Sequence, residues 1–146
     1  MKLLIYLLRQ DLIIVKKKNE DIAGYHRDIS FLTLHPPASH KGLYLFDRKG
    51  ERHAAVVPDG CLLIQAGAQL EYVTGGKILA GYHEVIVSDN ISTGVRVAIP
   101  FFCHLKGNLD IITPFKTKEL EAKYPLIKKS VWLMTELEKI LLKNAT

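Results

Sequence analysis

The sequence predicts a mainly β domain, a sandwich or barrel of the jelly-roll kind, with a helical segment at its C-terminal end. Between about residues 22 and 112, short runs rich in β-branched and aromatic residues alternate with turn clusters: Pro36-Pro37-Ala38-Ser39, Asp47-Arg48-Lys49-Gly50, Pro58-Asp59-Gly60, Thr74-Gly75-Gly76 and Asp89-Asn90-Ile91-Ser92-Thr93-Gly94. Strands this short at this spacing suit a sandwich or barrel. After Thr117 the apolar period lengthens to that of a helix. The 146 residues are 48% apolar and 24% charged, with no linker, repeat or low-complexity tract. One domain over 1–146 is expected, its jelly-roll core over 20–115 and its helical tail over 117–146.

Taken in order, Leu3 to Val15 reads as a strand or strands entering the sheet, or as the remnant of a longer helix. Its apolar run ends at Arg9 without a small-residue cleavage site, so neither a leader nor a bilayer span is expected. Tyr25 to Leu34 reads as one strand, and Gly42 to Phe46 as another. A tight turn at Arg48-Lys49-Gly50 joins the latter to Ala54–Val57 as a hairpin. Ala80 to Val87 and Gly94 to Phe102 complete the strand-like segments. In the tail, Thr117 can cap a helix from Lys118, Pro125 interrupts, and Ile127 to Lys143 follows. Val131, Met134, Leu137 and Leu141 stand near helical spacing, which predicts a helix packed on the outer face of the sheet, with Trp132 and Met134 as packing residues.

Charge and cysteine usage narrow the functional classes. The net charge of +5 is modest and scattered, and Lys16-Lys17-Lys18 reads as a solvated turn; neither nucleic acid nor membrane is expected as a partner. Cys61 and Cys103 lie far apart in strand-like segments and form no Cys-x-x-Cys pair, which predicts buried free thiols in a cytoplasmic protein.

The chemistry concentrates in four residues. Residues i and i+2 of a strand share a face, so His26 and Asp28 can present one imidazole and one carboxylate to a single ion. His83, in a second strand-like segment, can add another imidazole. Two histidines and a carboxylate on one face of a metal leave positions open for a co-substrate and dioxygen, which suits Fe(II); the same donors also accept Zn, Mn, Co and Ni. In Gly94–Phe102, alternation puts Arg96 and Ala98 on one face. An arginine facing a barrel interior is very costly without an anion, and a dicarboxylate co-substrate supplies one, held bidentately by the guanidinium fork. His35, His40, His53 and His104 match no ligand position and default to turn or surface roles, while Glu84 alternates away from His83. Gly75-Gly76 reads as a turn, since it lacks the pattern of a phosphate loop.

Over roughly residues 20 to 125 the chain resembles the catalytic half of the 2-oxoglutarate and Fe(II)-dependent oxygenases of the isopenicillin N synthase-like group. The resemblance lies in His26-Arg27-Asp28, the distant His83, and Arg96 where that family has Arg-x-Ser. Gly42-Leu43-Tyr44-Leu45-Phe46, Pro58 to Gly67, Gln69 to Gly76, and Ile99-Pro100-Phe101-Phe102 are similar to its flanking segments in the same order. It implies a double-stranded β-helix (the jelly-roll or cupin-like form) with His26, Asp28 and His83 as iron ligands at one open end. It further implies that Arg96, with Ala98 in the serine position, binds 2-oxoglutarate, so that an unidentified small molecule is oxidised by dioxygen while 2-oxoglutarate is decarboxylated to succinate. Ala98 lacks the hydroxyl of Arg-x-Ser, a loss of about 1 kcal/mol, or up to about 3 with a charged partner. The family's Asn-x-Tyr strand has no counterpart before His26, and only about two dozen residues stand where its members usually carry a sizeable helical region. The competing readings are a non-catalytic or truncated metal-binding jelly-roll module, possible self-association through an exposed sheet face, and a cupin with another metal; the cupin pattern wants further histidines and a glutamate that this segment does not supply.

Overall fold

The computed structural model describes residues 3–5, 21–86, 96–107, 109–115 and 117–143. Ten strands and three helices follow in order: β1 (Leu3–Ile5), β2 (Asp21–Arg27), β3 (Leu32–His35), β4 (Leu43–Phe46), β5 (Arg52–Ala54), β6 (Leu63–Ala66), α1 (Ala68–Val73), β7 (Tyr82–Ile86), β8 (Phe101–Leu105), β9 (Asp110–Ile111), α2 (Lys118–Lys123), β10 (Ile127–Lys128) and α3 (Lys129–Lys143). Two four-stranded sheets dominate, in the orders β1-β8-β3-β6 and β2-β7-β4-β5, and every pairing is antiparallel. This is the jelly-roll arrangement that the turn spacing predicted.

The hairpin turn closes as expected, with Asp47 bonded through its backbone to both Glu51 and Gly50. Thr117 caps α2 by accepting a hydrogen bond from the Leu120 N–H at 3.2 Å. Leu3–Ile5 pairs with β8 as a strand, in line with the first of the two readings; the remainder of the Leu3–Val15 segment and the Asp89–Gly94 turn lie outside the described residues.

Four expectations need correction. The strand expected over Tyr25–Leu34 is two strands in different sheets, broken at Asp28–Phe31 where the chain crosses between them. Gly67 permits that break, since a Cβ there would stand 2.1 Å from the Ser30 carbonyl oxygen and 2.7 Å from its hydroxyl. Within the region expected to hold only strands and turns, Ala68–Val73 is a helix, and Gly75-Gly76 is, as expected, the turn that ends it. The ladder expected from Gly94 starts only at Phe101, with Arg96 making an isolated bridge. Cys61 is exposed, while Cys103 is buried as expected.

The C-terminal helix also turns a different face inward. Val131, Met134 and Leu137 are exposed, and α3 buries Trp132, Lys129 and Glu136 instead. Trp132 joins Ala68, Tyr72, Ile111 and Tyr124 in the apolar core, where the Tyr72 ring meets Tyr124 and Trp132 edge to face. The Lys129 ammonium reaches the core side because it donates to the Leu105 carbonyl. This apolar core therefore sits where the helices meet β9, while the buried side chains near the metal site, Asp28, Ser30, Thr33, Gln65, His83 and Arg96, are polar. Such groups are tolerated inside only when partnered or when they serve a ligand.

Substituting Gly67 with alanine is expected to displace Ser30 and the adjoining Asp28 turn. Overpacking of this kind costs about 1–3 kcal/mol, so the melting temperature should fall by about 3–10 °C. A thermal melt showing no change would mean that the Ser30 turn yields freely.

Candidate metal and co-substrate site

The register of β2 on β7 sets His26 directly opposite His83, and both imidazoles turn toward Asp28, just beyond the end of β2. Nε2 of His26 lies 3.6 Å and Nε2 of His83 3.8 Å from Oδ1 of Asp28. The two rings are 4.2 Å apart between centroids, and one donor atom from each of the three residues falls within 4.8 Å of the others. His83 and Asp28 are buried; the His26 side chain is 41% exposed and forms the open edge of the cluster.

Neighbouring groups aim these donors. Nδ1 of His26 donates to the Gly24 carbonyl at 2.6 Å, which leaves Nε2 as the ring atom facing Asp28. The Thr33 hydroxyl donates to Oδ2 of Asp28 at 2.5 Å, and Ser30 bonds Thr33 in turn at 2.9 Å. Nδ1 of His83 meets the Gln65 carboxamide at 2.7 Å. Burial raises the Asp28 carboxyl, but hydrogen bonding with His26, the charge of His83 and the Thr33 hydroxyl outweigh it, so its pKa lies below the usual carboxylate value. Burial pushes His83 down to about 4 despite the attraction of Asp28, and the charges of His26 and His35 push the same way. At neutral pH the cluster is thus a carboxylate facing neutral imidazole, a donor set ready for a divalent cation.

The observed contacts fit such an ion. Oε1 of Gln65 is buried without a partner. A metal on Nε2 of His83 places the ring proton on Nδ1, which the Gln65 carboxamide can receive through Oε1 if it turns over.

One cavity of about 290 Å³ connects this cluster to Arg96. His26, Asp28, His83, Arg96 and Ala98 all line it, with Val56, Ile99 and Phe102 among its apolar walls. Small-ligand sites commonly start at about this size. Arg96 is buried, and Nε donates to the His40 carbonyl at 3.2 Å, which fixes the guanidinium and leaves its terminal nitrogens for an incoming anion. Burial lowers the Arg96 pKa, and among the described residues no carboxylate pairs with it.

His35 and His104 depart from the turn or surface roles expected of them. His35 lies in β3, lines the cavity and comes within 6.0 Å of the His83 ring between centroids. His104 lies in β8 and meets the Gln69 carboxamide at 3.1 Å. His35 follows Thr33 at i+2, on the inward side of β3, an alternation that could have signalled its position. His53 is exposed beside Asp47, and Glu84 points away from the site to pair with Arg52 at 2.9 Å. Tyr25 and Phe46 flank the site in sequence but pack edge to face against each other, outside the cavity lining.

The family model of the 2OG-Fe(II) oxygenase superfamily matches residues 5–105, a span that includes all four site residues. The chain belongs to that superfamily. Its members use ferrous iron, 2-oxoglutarate and dioxygen, in agreement with the resemblance read from the sequence. A 2-oxoglutarate-dependent dioxygenase of Gibberella zeae is 34% identical over 98 residues, covering 60% of this chain and 25% of that protein. The 1-aminocyclopropane-1-carboxylate oxidase homolog 4 of Arabidopsis thaliana is 31% identical over 68% of this chain and 29% of its own length. Among solved structures, a 2OG-Fe(II) oxygenase family protein of Caulobacter crescentus superposes with a TM-score of 0.72 at 31% identity, over 85% of this chain and 43% of its own. A Neurospora crassa protein crystallised with alpha-ketoglutarate and thymine shares the fold, with a TM-score of 0.71 at 22% identity over 83% and 38% of the two chains. The chain spans 25–30% of the length of the curated relatives it matches.

Acid should weaken the metal-free fold. His83, His35 and His104 all have pKa values lowered by burial, so the unfolded chain takes up protons from about pH 6.5 downward that the folded chain refuses. Stability therefore falls as pH drops from about 6.5 toward 4, by on the order of 3 kcal/mol from His83 alone. Melts of the metal-free protein at pH 7.5 and pH 5 would reveal this, and a flat profile would contradict it.

Proposed function

We propose that this chain holds the catalytic centre of a 2-oxoglutarate and Fe(II)-dependent dioxygenase acting on a small molecule. The observation that carries the reading is one cavity with a His-His-Asp cluster and a buried arginine, without an ion-pair partner among the described residues, in the same wall. His26, Asp28 and His83 would hold the iron, which when bound supplies the activation of dioxygen. Arg96, held by the His40 carbonyl, would orient 2-oxoglutarate through its far carboxylate, while Ala98 leaves room beside it. Val56, Ile99 and Phe102 line an apolar wall that excludes water and favours an apolar substrate portion. Succinate and carbon dioxide would accompany the oxidised product.

One domain over 1–146 belongs to the same reading, since the tail shares its apolar core with α1 and β9. No helix among the described residues is long and apolar enough to cross a membrane, and a cytoplasmic setting fits the two free cysteines. The exposed Leu62 and Ile64, at the β6 edge of the β1-β8-β3-β6 sheet, are where self-association would act.

The test is anaerobic titration of the metal-free protein with Fe(II) and then 2-oxoglutarate, following the weak visible charge-transfer band of the chelate. Its appearance at one equivalent of each supports the reading. Iron binding without the band would favour the metal-holding module instead, and absence of iron binding would overturn both.

A further inference from the structure

His35 ends β3 inside the cavity, and its Nε2 is shut away from solvent without a hydrogen-bond partner. The neighbouring unpartnered atom is Oε1 of Gln65, whose side chain lies within hydrogen-bonding reach of His35. Gln65 spends its Nε2 on the Gly81 carbonyl at 3.0 Å and on Nδ1 of His83 at 2.7 Å. Once His83 holds a metal through Nε2, its Nδ1 carries a proton, and an imidazole N–H cannot face an amide N–H at that distance. Turning the carboxamide over puts Oε1 on that proton, which the Gly81 carbonyl already attracts, and directs the amide N–H to Nε2 of His35. Both orphaned atoms gain partners in a single rotation, which gives up the Gln65 Nε2–H bond to the Gly81 carbonyl and leaves that carbonyl to share the His83 Nδ1 proton.

With Nε2 of His35 accepting, the proton of the neutral ring sits on Nδ1. The ring lines the same cavity as Asp28, His83, Arg96 and Ala98, 6.0 Å from the His83 ring between centroids. Ala98 in the same wall offers no hydroxyl. Resting on the co-substrate reading above, we infer that His35, aligned by Gln65, donates through Nδ1–H to the far carboxylate of 2-oxoglutarate and stands in for the hydroxyl that Ala98 lacks.

The experiment is calorimetric titration of the Mn(II)-loaded protein, Mn(II) being a redox-inert stand-in for iron, with 2-oxoglutarate and with 2-oxopentanoate, which has the same chain without the far carboxylate. His35→Leu should weaken 2-oxoglutarate about tenfold and leave 2-oxopentanoate unchanged. His35→Asn, whose amide nitrogen can occupy the place of Nδ1, should bind 2-oxoglutarate nearly as the parent does, whereas His35→Gln, with its nitrogen near the Nε2 position, should not. Equal losses for both ligands, no loss at all, or identical behaviour of the Asn and Gln variants would overturn the inference while leaving the co-substrate reading standing. A parent protein that binds Mn(II) but not 2-oxoglutarate would overturn the two together.

Discussion

His83→Ala is expected to abolish stoichiometric Fe(II) binding, and succinate formation with it. His83 is almost wholly buried, so water cannot freely take the vacated position, and Asp28 would be left beside one partly exposed imidazole. Removing a group that merely touches a ligand lowers metal affinity about 10–100-fold, and removing the ligand itself should exceed that range. His26→Ala should be milder, because the open edge of the cluster admits a substituting water. Calorimetry with Fe(II) under anaerobic conditions measures both, with circular dichroism to confirm that the sheets persist. Parent-like iron affinity in His83→Ala would refute the assignment of this cluster.

Arg96→Ala should leave iron binding intact and raise the dissociation constant of 2-oxoglutarate by about 100-fold. Removing one partner of a buried, hydrogen-bonded charge pair costs about 2–5 kcal/mol, the range that contains this change. Arg96→Lys should recover little, because the Nε contact to the His40 carbonyl and the two terminal nitrogens act as one rigid fork that an ammonium cannot reproduce. Titration at constant Fe(II), followed by the charge-transfer band, separates the two affinities. Equal loss of iron and co-substrate binding would point to a structural arginine instead.

Much of this site is legible in the chain because metal ligation leaves residue types that composition alone rarely brings together. His26, Asp28, His83 and Arg96 meet in one cavity as the order of motifs suggests. His26 and Asp28 do meet, but not as i and i+2 of one strand: β2 stops at Arg27, and a turn held by Gly67 and Thr33 redirects the carboxylate. Turn chemistry of that kind depends on Gly67, 37 residues beyond the Ser30 it meets, and local pattern cannot see it. The helix Ala68–Val73 is six residues long, too short to establish a period. In α3 the apolar spacing of Val131, Met134 and Leu137 marks an outward face, since Trp132 and the amphipathic stem of Lys129 fill the inward one. His35 was hidden for another reason: a histidine gains its meaning here only through Gln65 on the adjacent strand.

The pairing of β2 with β7 is irregular, with shifts on both sides of Ala23 before the two histidines come opposite each other. Each shift leaves a residue out of the regular ladder of backbone bonds. Sliding it by one residue would exchange His26 for Tyr25 or Arg27 and turn the imidazole to the outer surface. An ion gripped by both strands would act as a pin through that joint, selecting the one alignment in which the cavity exists. Metal uptake would then double as a proofreading step, separating correctly threaded chains from slipped ones before any substrate arrives.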